Sequence, residues 1–258
     1  MADADPVAAA RVIYEQMQAD LLAASPLGDM ARWVASGAPP PAQALRGAGF
    51  ACEAAPGELW LARKAFIRRW GFAIPCAEAV AALKTLSPLL EIGAGSGAWA
   101  AMLRAAGLDV VATDAVAEGS PGYGLVAGEH FPVEPLDAVS AVRRYPERNL
   151  FCSWPTEADD WCAEAARALA PGRALALIGK GRGGTTGSAA LFDVLDAHFG
   201  LESTVAIPQF PGVDDAMTVH RKRQAGARRL SSGQRRQDQR HHGHVDEAED
   251  GLQHGPGP

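Results

Sequence analysis

A glycine-rich stretch at residues 89–97 carries the clearest chemical signal in this chain. It reads Leu-Leu-Glu-Ile-Gly-Ala-Gly-Ser-Gly, an apolar run with an acidic residue followed by three alternate glycines, and a helix-forming segment comes next. Glycines at this spacing let the backbone turn sharply and let a ligand approach main-chain N–H groups. The pattern therefore predicts a strand, a tight ligand-binding turn and a helix, as in nucleotide-binding α/β proteins.

The turn fits two kinds of cofactor. Gly93-x-Gly95-x-x-Ala98 satisfies the relaxed dinucleotide fingerprint, whereas Glu91-x-Gly93-x-Gly95-x-Gly97 satisfies the pattern of S-adenosylmethionine sites. A carboxylate at Glu91 would repel a pyrophosphate but suits a ligand with a sulfonium and an α-amino group. Asp114, at the end of the second predicted strand, can accept hydrogen bonds from a ribose diol and serves either cofactor.

From residue 88 onward, strands alternate with helices, which predicts a Rossmann-like, doubly wound α/β sheet. The last two strands have no helix between them, so the sheet should be mostly parallel with an antiparallel last strand. Strands are predicted at 89–92, 109–114, 131–133, 149–153, 174–178, 201–207 and 216–220. Helices are predicted at 7–24, 58–70, 76–86, 98–106, 137–145, 157–169 and 188–199, the last closed by Gly200.

Three domains follow from this reading. Residues 1–57 form an N-terminal helical extension with a Gly- and Pro-rich loop at 36–49, and residues 58–222 form the Rossmann-like domain. Residues 223–258 are nearly free of large aliphatic side chains and are predicted to be disordered. The abrupt change also suggests a frameshift in the coding DNA. The tract His241-His242-Gly243-His244 is interpreted as solvated, and no metal site is predicted.

Composition narrows the classes of function. The net charge is -6, so no basic surface favours nucleic acid as a partner. The four cysteines are scattered without a C-x-x-C pair, which indicates neither a zinc site nor a disulfide framework. The chain begins with an acidic segment and has no apolar run long enough for a membrane span. A cytoplasmic protein is expected.

Residues from about 66 to 222 resemble class I S-adenosylmethionine-dependent methyltransferases, and more narrowly an uncharacterised bacterial and fungal branch of them. Besides the glycine stretch, the resemblance lies in a strand that ends in Asp114 and in three narrower segments. These read Trp-Gly-Phe-Ala-Ile-Pro at 70–75, Leu-Phe-Cys-Ser-Trp-Pro at 150–155 and Ile-Pro-Gln-Phe-Pro-Gly at 207–212.

The resemblance implies S-adenosyl-L-methionine as the cofactor and a role for each matching residue. The methionine end would lie against Glu91, Gly93, Ala94, Gly95 and Gly97. The ribose would bind Asp114, the adenine Asp137, and the end of strand four, at Ser153, would lie beside the transferable methyl. Asp137 is equally interpreted as a helix N-cap.

Ser153-Trp154-Pro155-Thr156 departs from the family pattern of Asn or Asp, two prolines and an aromatic residue. The departure argues against methylation of a nucleic-acid base, because the amide or carboxylate that holds an amino group is missing. The acceptor-pocket candidates are Trp70, Phe72, Trp154 and Pro155. No catalytic residue is assigned, although His130, Glu129, Asp159 and Asp160 are candidate bases.

The first hypothesis is therefore methyl transfer from S-adenosylmethionine to an unknown acceptor, either a small molecule or a protein. A non-catalytic S-adenosylmethionine- or nucleoside-binding protein is a second hypothesis, and an NAD(P)-dependent oxidoreductase is a third.

Overall fold

A seven-stranded sheet lies at the centre of the computed structural model, which describes residues 6–45, 56–115 and 128–224. The strands are β1 (Leu89–Ile92), β2 (Val110–Asp114), β3 (Glu134–Pro135), β4 (Asn149–Ser153), β5 (Ala174–Gly179), β6 (Phe199–Val205) and β7 (Ala216–Lys222). The α-helices are α1 (Pro6–Ala24), α2 (Met30–Ser36), α3 (Ala42–Leu45), α4 (Pro56–Trp70), α5 (Ala77–Lys84), α6 (Ala98–Ala105), α7 (Ala138–Arg144), α8 (Trp161–Ala168) and α9 (Ala189–His198), and a 3-10 turn spans Pro26–Asp29.

The strands follow the order β3-β2-β1-β4-β5-β7-β6. All pairs from β3 to β5 are parallel, and β7 runs antiparallel to both of its neighbours. The predicted fold class, a mostly parallel doubly wound sheet with an antiparallel last strand, is confirmed. The central strand β1 lies between β2 and β4, so the carboxyl ends of these three strands meet at one edge.

Alternate residues of the strands feed two separate cores. Leu89 and Phe151 face the core that includes helices α2, α4, α5 and α6, whereas Leu90 and Cys152 face the core that includes α7, α8 and α9. This follows from the two-residue period of a strand, which sends neighbouring side chains to opposite faces. The sheet therefore has helices on both faces.

The N-terminal helices pack against the same domain. Met30 and Trp33 of α2 are buried in the core that includes α6 and the sheet, and α1 contacts α4. The carboxylate of Glu78 in α5 accepts a hydrogen bond from the Ala42 main-chain N–H at 2.9 Å. The division of the chain at residues 57 and 222 remains a proposal.

Four sequence predictions about elements were wrong. The predicted loop at 36–49 contains α3, which ends with Leu45 buried in the core. The third strand lies at Glu134–Pro135 rather than 131–133, where it pairs with the end of β2. Helix α8 begins only at Trp161, because residues 156–160 form an exposed connection whose Thr156 hydroxyl accepts the Trp161 indole N–H at 2.8 Å.

The fourth error concerns Gly200, which does not close helix α9. The helix ends at His198, and the backbone then pairs at once with β7, since Phe199 lies opposite Lys222 and Gly200 opposite Arg221. Gly200 therefore belongs to strand β6 and does not form the C-terminal cap of the helix.

The predicted tail at 223–258 lies outside the described residues apart from 223 and 224, as do the histidine tract and the segment at 116–127. Within the described ranges, each helix is too short or too polar to cross a membrane. In the same ranges, His, Cys, Asp and Glu side chains do not gather in threes that could hold a metal ion.

Gly37 allows α2 to approach α6, and its replacement tests that packing. Gly37 has φ of 67°, and an added Cβ would lie 2.2 Å from the main-chain nitrogen of Ala106. Gly107 also has a positive φ, 85°, but a Cβ there would meet no described atom within 4 Å. Gly107→Ala should lower the free energy of unfolding by about 1–2 kcal/mol because of the left-handed backbone alone.

Gly37→Ala should cost that amount plus a further loss of about 1–3 kcal/mol, since backbone must move to make room. Urea denaturation of the two variants measures the difference. Equal losses for both would contradict the described α2–α6 contact.

Candidate functional site

A cavity of about 410 Å³ lies at the carboxyl ends of β1, β2 and β4. Ligands of open α/β sheets bind at this edge, where the strand order reverses. Most of the residues proposed from the sequence line the cavity, namely Glu91, Gly93, Ala94, Gly95, Asp114, Asp137, Ser153, Trp70, Phe72 and Trp154. Gly97 and Pro155 do not line it.

The glycine turn between β1 and α6 is shaped by close contacts. Gly93 has φ of 66°, and a Cβ there would lie 2.8 Å from the Trp161 ring. Gly97 has φ of 75° and caps α6, where a Cβ would lie 2.9 Å from the carbonyl oxygen of Phe131. The absence of a side chain at Gly93 therefore lets the Trp161 indole pack against the turn. The absence of one at Gly97 lets the main chain of Phe131 lie close to it.

Three N–H groups of the turn are engaged within the protein. Ala94 donates to the carbonyl of Thr113 at 3.1 Å, and Gly97 donates to the carbonyl of Ala94 at 2.9 Å. The Gly95 N–H donates to Oδ2 of Asp114 at 2.9 Å. These three donors are not offered to an anion, so the turn differs from a phosphate cradle, which presents its N–H groups to the ligand.

Asp137 has the N-cap role that was considered beside adenine binding. Its Oδ1 accepts the Ser140 main-chain N–H at 2.9 Å at the start of α7. The hydrogen bonds from Ser140 lower the pKa of Asp137. The side chain is exposed and lines the cavity, so the N-cap carboxylate also faces the site.

Glu91 is a buried acid at the wall of the cavity. Its exposed fraction is 2%, and its Oε2 has no hydrogen-bond partner among the described residues. Burial raises its pKa to about 8, a main-chain hydrogen bond from Ala100 opposes the rise, and the nearby charge of Asp114 adds to it. A buried carboxyl with one oxygen unpaired is costly, and a positively charged ligand group would stabilise its ionised form.

Trp154 has an unusual backbone conformation at the end of β4. Its φ is 58°, in the left-handed region that is strained for a residue with a side chain, at a cost of about 1–3 kcal/mol. Its main-chain N–H donates to Ile178 at 2.8 Å, and its indole N–H donates to Oδ2 of Asp215 at 2.9 Å. The indole also stacks on Phe72, with ring centroids 5.2 Å apart. These contacts hold the strained residue in the cavity wall.

Asp215 was not identified from the sequence as part of the site. It is 2% exposed, its Oδ1 lacks a partner among the described residues, and burial raises its pKa, which the Trp154 hydrogen bond and the charges of Arg63 and Lys180 oppose. It precedes the strand β7, about sixty residues from Trp154, and no local pattern connects them. Only the insertion of β7 beside β5 brings it to the indole.

Trp161 and Asp159 line the cavity as well. Trp161 was placed in the middle of a predicted helix and had no assigned role. Among the candidate bases, Asp159 lines the cavity, whereas Asp160, Glu129 and His130 do not. The His130 ring instead stacks on Trp70 at 4.4 Å, and its Nε2 lies 2.8 Å from the carbonyl oxygen of Arg69.

The strand order identifies the fold of the sheet. An antiparallel β7 lies between β5 and β6, and the glycine turn, Asp114 and the end of β4 share one cavity. The protein has the fold of the class I S-adenosylmethionine-dependent methyltransferases.

Solved structures similar to this methyltransferase-fold chain include several methyltransferases. Magnesium protoporphyrin IX methyltransferase from Synechocystis PCC 6803, with bound SAM, is 18% identical with a TM-score of 0.40, and the match covers 56% of this chain and 76% of that one. The N-methyltransferase NodS from Bradyrhizobium japonicum WM9, in complex with S-adenosyl-L-homocysteine, is 16% identical with a TM-score of 0.38, over 57% and 85%.

The 1,6-didemethyltoxoflavin-N1-methyltransferase of Burkholderia thailandensis is 17% identical with a TM-score of 0.36, over 57% and 77%. All three TM-scores are below 0.5, so the fold assignment depends on the strand order and not on these likenesses. No protein-family model matches the sequence, and no curated protein matches it significantly.

The buried acid predicts a pH dependence of the ligand-free protein. Because the pKa of Glu91 is raised to about 8 from 4.5, the folded state holds a proton that the unfolded state has lost between these values. The stability that the neutral acid contributes is complete below pH 4.5 and is lost as the pH rises to about 8. Relative to Glu91→Gln, the wild type should lose about 3–5 kcal/mol over this range.

Chemical denaturation of both proteins at several pH values measures this change. Any change in packing caused by the glutamine amide shifts the free energy of unfolding equally at every pH. It therefore does not affect the comparison, which uses the slope of that free energy with pH. Parallel stability curves would show that Glu91 is not a buried neutral acid.

The Trp154–Asp215 hydrogen bond predicts coupled losses of stability. Asp215→Ala should lower the free energy of unfolding by about 1–3 kcal/mol, because it leaves a part-buried indole N–H without an acceptor. In a Trp154→Phe background the same substitution should cost less, since that donor is gone. A double-mutant cycle by denaturation measures the coupling, and strictly additive losses would refute the interaction.

Proposed function

We propose that this protein transfers a methyl group from S-adenosylmethionine to an acceptor that enters beside the aromatic wall of the cavity. The observation that carries the proposal is the buried carboxyl of Glu91, whose Oε2 has no partner among the described residues. A cationic ligand group near this acid would supply the missing partner. The pyrophosphate of a dinucleotide would instead oppose the ionisation of Glu91 and leave the buried acid without a cationic partner.

The residues present fit the cofactor at three points. Glu91 would hold the charged methionine end, and Asp114, which also organises the turn through Gly95, would accept hydrogen bonds from the ribose hydroxyls. Asp137 would accept one from the adenine amine at the exposed side of the cavity. The engaged N–H groups of Ala94, Gly95 and Gly97 support this fit, because they are three donors that the turn does not present to a phosphate.

When bound, S-adenosylmethionine supplies an activated methyl on a sulfonium, whose carbon–sulfur electron pair stays on sulfur as the acceptor lone pair forms the new bond. The protein needs chiefly to hold the two groups in line and to exclude water. Ser153 and Trp154 at the end of β4 are placed to border the methyl, and Phe72 closes the wall beside them. A proton released by the acceptor would pass to solvent or to Asp159 at the cavity edge. A cytoplasmic location remains a prediction from the sequence.

Ligand-dependent stability tests the cofactor assignment. S-adenosylmethionine and S-adenosylhomocysteine should each raise the midpoint of thermal unfolding, by the equivalent of about 2.7 kcal/mol at one hundred times the dissociation constant. NAD and NADP should not. A shift with NAD alone would favour an oxidoreductase and overturn the proposal.

Variants of Asp114 separate its two roles. Asp114→Asn keeps an acceptor for the Gly95 N–H, whereas Asp114→Ala removes it, so only the alanine variant should lose stability without ligand. Both should bind S-adenosylhomocysteine at least about tenfold more weakly, since the ribose diol loses its carboxylate. Unchanged affinity in both would show that the ribose lies elsewhere. Transfer of a labelled methyl to a product distinguishes the enzyme from a binding protein.

A further inference from the structure

The titratable side chains that line the described part of the cavity are all acidic. Four carboxyl groups line it, those of Glu91, Asp114, Asp137 and Asp159, and in the described part of the chain no Lys, Arg or His lines it. The chain between Ala115 and Gly128 contains no basic residue either. Glu91 is buried with an unpartnered oxygen in the same wall, and a cationic ligand group would stabilise its ionised form.

The proposed cofactor accounts for three of these carboxyl groups, and Asp159 remains. It lies in the exposed connection between β4 and α8, after Trp154 and before Trp161. The hydrogen bond described for its carboxylate, from the hydroxyl of Thr156, is long at 3.5 Å. A carboxylate in this state retains acceptor capacity for a ligand at the edge of the cavity.

The aromatic side chains around Asp159 offer apolar surface rather than hydrogen bonds. The indole N–H of Trp154 is occupied by Asp215, and that of Trp161 by Thr156. Phe72 extends the same wall by stacking on Trp154. Ring faces beside a carboxylate are the combination that recognises organic cations.

Three basic groups lie near the cavity without lining it, and one of them, the Arg69 guanidinium, lies 4.9 Å from the centroid of the Trp70 ring. The Arg63 guanidinium lies 5.5 Å from the centroid of the Trp154 ring, and both Arg63 and Lys180 act on buried Asp215. Neither basic residue lines the cavity. Both act on the carboxyl of Asp215, which lies behind the aromatic wall.

We propose that the methyl acceptor is a small amine with an apolar or aromatic body, which binds as its cation with the positive charge at Asp159 and the body against Trp154 and Trp161. The ammonium group then releases one proton to solvent, and the freed nitrogen lone pair forms the bond to the methyl group. This inference rests on the proposed methyl transfer. A carboxylate or phosphate on the acceptor would be repelled by Asp159, which disfavours acceptors of that charge.

The test uses the full-length protein saturated with S-adenosylhomocysteine, whose binding is first established by calorimetry. Two amines, phenethylamine and tryptamine, are titrated beside 3-phenylpropionate and indole-3-propionate, which match them in ring but not in charge. The uncharged 2-phenylethanol reports the contribution of the ring alone. Saturation-transfer NMR and calorimetry measure binding.

Each amine should bind at least about tenfold more tightly than its matched acid, because the Asp159 carboxylate attracts the ammonium group of the amine and repels the carboxylate of the acid. Asp159→Asn should weaken the amines by about three- to tenfold and leave 2-phenylethanol unchanged. The matched control is Asp160→Asn, which removes the adjacent exposed charge outside the cavity wall. It should change neither the affinity for the amines nor the affinity for 2-phenylethanol.

Equal or tighter binding of the acids, or equal effects of the Asp159 and Asp160 substitutions, would overturn the inference. So would the absence of amine binding at about 10 mM, since an ion pair with aromatic packing should exceed that affinity. Failure of S-adenosylhomocysteine to bind would instead refute the proposed function, so the two failures are distinguishable.

Discussion

The hydrogen bond from the Gly95 N–H to the Asp114 carboxylate joins the ends of two neighbouring strands, and the geometry of the cavity depends on it. The bond is possible because β1 and β2 pair in parallel, with Ile92 opposite Thr113, so that the turn after one strand reaches the last residue of the other. It occupies a donor that would otherwise attract an anion. One interaction thus shapes the turn and removes one of the donors that a phosphate could use.

Around this bond the protein keeps two features that oppose stability. Glu91 is buried with an oxygen that lacks a described partner, and Trp154 has a strained backbone. Both lie in the wall of the same cavity. Buried unpaired acids and strained residues lower the stability of a fold and are found mainly at functional sites, where the surrounding contacts hold these groups in position for a ligand. Asp215 is such a contact, since it fixes the indole of Trp154 from outside the wall.

Charge and aromatic surface divide the cavity between two tasks. The acids of β1 and β2, Glu91 and Asp114, lie beside the glycine turn, where the proposed nucleoside with a cationic end would bind. The tryptophans that follow β4 lie beside Asp159, where an apolar body and a positive charge fit. In the proposed methyl transfer, this arrangement would select the acceptor by charge and ring packing, in agreement with the departure of residues 153–156 from the pattern of base methyltransferases.

Local pattern alone determined the sheet, the glycine turn and the acids at the ends of two strands. Hydrophobic periodicity, and the breaks that glycine and proline introduce, depend on a few neighbouring residues. They therefore predict strands such as β1 and the absence of a helix between β6 and β7. They could not predict that α8 starts at Trp161, that Gly200 enters a strand, or that Gly97 faces Phe131 rather than the cavity. The partnership of Trp154 with Asp215 was also beyond the sequence, because it arises only when β7 inserts beside β5. Tertiary structure decided these points because each depends on contacts between segments far apart in the chain, whose pairing and burial no local pattern encodes.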